Sequence, residues 1–124
     1  MHITSDIYYR FATTVVEAKI LNVNNEASEV LFDVTLPDAA FITAFTIPRT
    51  SNKFNILVNI QKNALVVFKL KYQELLRRTL GSYHHVIYVD PGQPIEDFEI
   101  KVFISEFRDI VKLSVPPLEG KTEI

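Results

Sequence analysis

Apolar residues recur at every second position along most of this chain, a period that suits strands with one buried face and not long helices. The cleanest case places Val30, Phe32, Val34 and Leu36 on one side and Glu29, Asp33 and Thr35 on the other. The same spacing returns in Phe54, Ile56, Val58 and Ile60, in Ala64, Val66, Phe68, Leu70 and Tyr72, and in Phe98, Ile100, Val102 and Ile104. Turn-forming clusters separate these runs, among them Asn22 to Glu26, Pro48 to Asn52 and Asp90 to Pro94. Segments with one apolar face must be covered by a second layer, so the expected fold is mainly β, an antiparallel β-sandwich of about seven strands.

The alternation is interrupted at three places. In the long run from Ile7 to Val23 the apolar set is even-numbered through Val16, Ala18 and Ile20, then odd-numbered at Leu21 and Val23, which predicts a bulge or bend near Ile20. Gln61 to Asn63 is a short polar connection and predicts a hairpin between the strands on either side. Gln73 to Arg78 contains good helix formers and no β-branched residue, which predicts one short helical turn near residues 73–80. In that reading Leu75, Leu76 and Leu80 fold back onto the sheet, Arg77 and Arg78 face out, Gly81 ends the turn, and a strand resumes from Tyr83 to Val89.

Composition narrows the function classes. A chain of 124 residues without cysteine has no disulfide framework and no thiolate metal site. No apolar run approaches the roughly 20 residues of a membrane span, and the opening Met1-His2-Ile3-Thr4-Ser5-Asp6 is not a charged segment followed by an apolar one. Charge is unevenly spread: residues 1–48 hold two basic and six acidic side chains, residues 49–78 seven and one, and residues 79–124 four and eight. Lys69, Lys71, Arg77 and Arg78 in the middle third are therefore candidate contacts for a polyanion such as a glycosaminoglycan, against the plainer reading of a solvated strand face.

Catalytic chemistry finds little support. His84 and His85 are neighbours, and adjacent strand residues point to opposite faces, so they cannot share a metal. No serine lies in a G-x-S-x-G setting, and Gly81, Gly92 and Gly120 are too scattered for a phosphate loop. Glu96, Asp97 and Glu99 read as a solvated strand face. Tyr8-Tyr9-Arg10-Phe11 mixes aromatic and basic groups, yet with no basic groove or RNA-binding signature it reads as core and sheet packing, and nucleic acid is not expected as a partner. No catalytic, metal-binding or cofactor-binding residue is predicted.

Three stretches resemble a known family: Ser5 to Val16, Phe32 to Phe45, and the corner from Tyr72 to Tyr83, whose Tyr72, Glu74, Leu75, Leu76, Gly81 and Tyr83 carry the most specific part of the likeness. The resemblance is to the vault protein inter-alpha-trypsin (VIT) domain, and more narrowly to the amino-terminal region of inter-alpha-trypsin inhibitor heavy chains. It implies a β-rich, non-catalytic module at residues 1–113, with residues 114–124 as a linker toward a von Willebrand type A domain. It also implies an extracellular setting, with a scaffold role in a hyaluronan-containing matrix or a protease-inhibitor complex. The alternative is an intracellular protein-interaction domain of the vault-associated type. Against the family pattern the middle is short: only Pro48 to Lys53 stands where family members carry a longer, glycine-bearing and partly helical segment.

Overall fold

Strands dominate because the alternating runs find partners that bury their apolar sides. The computed structural model describes residues 1–37, 40–42, 53–88, 97–116 and 123–124. Among these residues lie nine strands: β1 (His2–Tyr8), β2 (Phe11–Leu21), β3 (Ser28–Thr35), β4 (Phe41–Ile42), β5 (Lys53–Ile60), β6 (Leu65–Leu75), β7 (Arg78–Thr79), β8 (Ser82–Tyr83) and β9 (Glu99–Ser105). They form a five-stranded sheet in the order β4-β6-β2-β1-β9, a β3–β5 ribbon and a small β7–β8 hairpin. The large sheet is mixed. β1 runs parallel to β9, while β1–β2, β2–β6 and β4–β6 are antiparallel.

The period-two pattern becomes a continuous inner face. Ile3 and Ile7 of β1, Ala12, Val16 and Ala18 of β2, and Phe68, Leu70 and Tyr72 of β6 are all buried. The β3–β5 ribbon turns Phe32 and Val34 toward them, and these residues join Ile3, Val16, Ala18, Leu36, Ala40, Phe68, Leu70 and Tyr72 in one apolar cluster. Phe32 stacks on Phe68 with ring centroids 4.7 Å apart and planes 6° from parallel, which ties the ribbon to the large sheet. A second, smaller cluster of Ile7, Ala12 and Leu76 lies toward the far end of the same face.

Several expectations are corrected. There is no helical turn at 73–80: β6 continues to Leu75, with Gln73, Glu74 and Leu75 paired to Thr13, Ala12 and Phe11. The eleven residues of β2 offer a full ladder of backbone partners, whereas an isolated turn of helix closes few hydrogen bonds for the dihedrals it fixes. In place of the turn, residues 78–83 form a hairpin whose two central residues, Leu80 and Gly81, have φ of 50° and 83°, the backbone that a tight two-residue hairpin needs. Leu75 and Leu80 accordingly do not fold back: they are 57 % and 101 % exposed, and Leu76 alone of the three is buried, at 7 %.

The expected hairpin across Gln61 to Asn63 is a connection between sheets, since β5 pairs with β3 and β6 with β2. The buried Asn22 holds that crossing. Its backbone N–H donates to the Ala64 carbonyl and its own carbonyl accepts from Asn63 N–H, while its side-chain amide donates to the carbonyls of Ile60 and Glu26. No bulge occurs in β2, whose register with β6 runs unbroken to Leu21 opposite Leu65; Leu21 stays in solvent instead of slipping the strand. The run from Ile7 splits at Tyr9-Arg10, both at positive φ, into two strands, and beyond Tyr83 residues 84–88 form no strand. The shortened stretch around 48–53 lies mostly outside the described residues, as do Glu96 and most of the segment read as a linker.

Candidate functional site

The inner face of the large sheet carries three polar residues in positions that its period assigns to the core: Ser5 between Ile3 and Ile7, Thr14 between Ala12 and Val16, and Glu74 two residues beyond Tyr72. Ser5 and Thr14 face each other in register, and Thr14 faces Tyr72 on the next strand. All three are buried, so each polar atom must find a partner or its desolvation goes uncompensated. The segment after β8 supplies one. It passes over the sheet, placing His85 against this row while Ile87 packs on the main apolar cluster.

The resulting contacts are short and consecutive. His85 Nδ1 lies 2.8 Å from Glu74 Oε1, His85 Nε2 lies 2.7 Å from Ser5 Oγ, and Ser5 Oγ lies 3.0 Å from Thr14 Oγ1. A carboxylate only accepts, so Nδ1 donates to Glu74; in the neutral imidazole Nε2 then accepts the Ser5 hydroxyl proton, and Ser5 in turn accepts from Thr14. Next along the row, Tyr72 faces Thr14 in register; burial, the largest influence, and the nearby Glu74 charge push its phenol up to about 12, against an opposing influence of Thr14. No buried side-chain nitrogen or oxygen among the described residues is left without a partner. The row separates the two apolar clusters on this face.

Serine, imidazole and carboxylate stand here in the order that activates a nucleophile in hydrolases. Two features set this row apart from such a site. Ser5 is 0 % exposed, with the strap carrying its own histidine lying on it. In addition β1 is paired along both edges, to β2 and to β9, so the backbone N–H groups around Ser5 are committed to ladders and none is free to hold an oxyanion. The chemistry left to the row is structural: it fixes where residues 84–88 cross the sheet.

At the end of the sheet the exposed chemistry is different. Leu76 N–H donates to the Arg10 carbonyl at 2.7 Å, which brings the β6 exit beside the β1–β2 turn. The Arg10 guanidinium lies 5.3 Å from the centre of the Tyr83 ring, and Tyr83 pairs in register with Arg78. Arg10, Arg77 and Arg78 thus share one exposed corner, and none of them is in an ion pair among the described residues. Tyr9 of the same turn stacks on Phe107, with centroids 3.7 Å apart.

Of the four cations predicted as polyanion contacts, Arg77 and Arg78 fall in this corner. Lys69 and Lys71 lie further back on the exposed face of β6, with Lys71 about 13 Å of strand from Leu75. Lys69 stands opposite Glu17 in register. The family-motif residues divide by role: Tyr72, Glu74 and Leu76 are buried, Leu75 is in solvent, Gly81 makes the hairpin turn, and Tyr83 lies beneath Arg10. His85 points inward and His84 outward, as strand alternation predicts even though no strand forms there. Among the described residues no group of three or more His, Cys, Asp or Glu is placed to hold a metal ion, and no helix is long and apolar enough to cross a membrane.

Sequence reasoning missed Ser5, Thr14 and Arg10. The signal for the first two is their inward parity: a polar residue in phase with isoleucines and valines on two neighbouring strands announces a buried pair. Arg10 belongs to a turn and not, as expected, to the packing of a strand; Tyr8, close by, is mostly exposed.

Comparison with known proteins identifies the class. Residues 1–49 match the vault protein inter-alpha-trypsin domain. The chain is also 32 % identical to inter-alpha-trypsin inhibitor heavy chain H2 of Mesocricetus auratus, over 92 % of this chain and 16 % of that protein. Heavy chain H3 of Pongo abelii is 32 % identical over 90 % of this chain and 17 % of its own length, and human heavy chain H6 is 30 % identical over 92 % and 12 %. The chain is therefore a VIT-domain sequence in its first 49 residues and a homologue of the inter-alpha-trypsin inhibitor heavy chains over nearly all its length. It spans 12–17 % of the length of these relatives.

Proposed function

We propose that this chain is a non-catalytic interaction module of a heavy-chain-like protein acting outside the cell, in a hyaluronan-containing matrix or a protease-inhibitor complex. The observation that carries the reading is the similarity to inhibitor heavy chains across nine tenths of the chain. In this account the β3–β5 ribbon and the five-stranded sheet are the two layers of an open β-sandwich spanning residues 1–113. Residues 114–124 lead toward a further domain, of von Willebrand type A in the full-length family. The match to heavy chain H2 extends over 151 residues although this chain has 124, so the relative holds residues within the matched span that are missing here. We place that loss around residues 48–53.

The surface offered to a partner is the corner of Arg10, Arg77, Arg78 and Tyr83. Guanidinium groups without carboxylate partners attract sulfate and carboxylate groups, and an adjacent tyrosine ring gives a sugar an apolar platform. Lys69 and Lys71 extend the positive surface along β6. The test is a titration of the chain with heparin and with hyaluronan at low and moderate salt. Salt-sensitive binding, weakened about tenfold by Arg77→Ala with Arg78→Ala, is the expected result. Absence of binding by either glycan at low salt would overturn the anionic-glycan reading and leave only protein partners.

A further inference from the structure

We infer that His85 is a positioning residue, whose hold on Glu74 and Ser5 sets the orientation of the β7–β8 hairpin and so assembles the arginine corner; the part concerning binding rests on the glycan reading above. The hairpin forms a sheet of its own, with two residues per strand, hydrogen-bonded to neither of the larger sheets. Two-stranded ribbons of this size do not hold a fixed geometry in water by themselves. Residues 77–83 are exposed, so whatever fixes them acts from the ends.

Both ends are anchored. At the entry, Leu76 is buried with Ile7 and Ala12, and its N–H is bonded to the Arg10 carbonyl. At the exit, two residues after Tyr83, the His85 ring is fixed through both nitrogens, to Glu74 on β6 and to Ser5 on β1. With side-chain exposures of 10 % for His85 and 8 % for Glu74, that anchor is shielded from solvent. The remaining tie between hairpin and sheet among the described residues is the Arg10 guanidinium over Tyr83. Releasing His85 would free the β8 end and let Tyr83 and Arg78 leave Arg10, separating charges that must converge to meet one anionic chain. The Ser-His-Glu row thereby gains a role its buried hydroxyl denies it as a catalyst: it preorganises a binding surface.

The experiment compares the full chain with His85→Ala, His85→Asn, Ser5→Ala and Arg78→Ala, measuring backbone 15N order parameters and heparin affinity in the same low-salt buffer. For His85→Ala the expected result is that order parameters at residues 78–83 fall below about 0.6 while those of β1, β2 and β6 stay near about 0.85. Heparin affinity should drop about fivefold. Ser5→Ala, which keeps the Glu74 contact, should fall between wild type and His85→Ala in both readouts, as should His85→Asn, and Arg78→Ala should weaken binding with the hairpin still ordered. A hairpin as rigid in His85→Ala as in wild type would overturn the inference, as would a loosened hairpin that binds heparin with unchanged affinity. If the wild-type chain does not bind heparin, the glycan reading fails, and the order parameters alone decide whether His85 fixes the hairpin.

Discussion

Single residues carry more of this fold's logic than the apolar pattern suggests, and Leu75 and Leu76 show it best. Both look like core leucines once a helical turn is expected at 73–80, but with β6 running on to Leu75 the even parity of Phe68, Leu70, Tyr72 and Glu74 selects Leu76. Leu76 is buried beside Ile7 and Ala12, and Leu75, opposite Phe11 in register, projects into solvent. Leu76→Ala should therefore destabilise the chain by about 2–4 kcal/mol, through lost burial and a residual cavity. Leu75→Ala should change stability by less than about 0.5 kcal/mol. Urea unfolding of the two variants checks this, and equal losses would mean that the corner is packed differently. Leu80, at φ 50° with no packing in return, is a position where local backbone preference yields to the need for a two-residue turn.

At the level of elements, strand faces are legible in the sequence and connections are not. The inward sets Phe32, Val34 and Leu36, and Phe68, Leu70 and Tyr72, follow from period two alone and are buried as expected. Pairing partners depend on loop geometry and on single hydrogen-bonding side chains, which no periodicity reports. The link Gln61 to Asn63 has the length of a hairpin loop, yet it carries the chain from one sheet to the other, held by Asn22 through bonds to Asn63 N–H and to the carbonyls of Ile60 and Ala64 on either side. Asn22→Ala should cost about 2–3 kcal/mol, since it leaves the Ile60 and Glu26 carbonyls without their amide donor. Asn24→Ala, which removes an exposed bond to Ser28, should cost less than about 0.5 kcal/mol. Thermal unfolding of the pair is the check; similar small losses would show that the crossing does not depend on Asn22. The helical turn expected at 73–80 is absent for a related reason, because helix propensity over six residues is weaker than the ladder offered by a long neighbouring strand.

Across the whole molecule, the candidate site is half readable from the sequence. The corner motif and its arginines stand out there, and Glu74 belongs to that motif. Its partner His85 lies 11 residues downstream and the other partner of that ring, Ser5, 69 residues upstream of Glu74, and only the strand order β6-β2-β1 and the crossing of residues 84–88 bring them together. A buried polar row between two apolar clusters favours one place for residues 84–88 to cross the sheet, because another crossing would take from Glu74 its His85 partner and from Ser5 its contact with the same ring. From that row residues 84–88 lead back to the β7–β8 hairpin, whose Tyr83 lies beneath Arg10 at the exposed corner.

The most direct test of this account is an NMR measurement of the His85 ring in the wild-type chain. Nuclear Overhauser contacts from its ring protons to the Ser5 β-protons and the Thr14 methyl, together with slow exchange of the Nδ1 proton, are the expected result. A ring with no such contacts and with the shifts of a solvent-exposed histidine would contradict it.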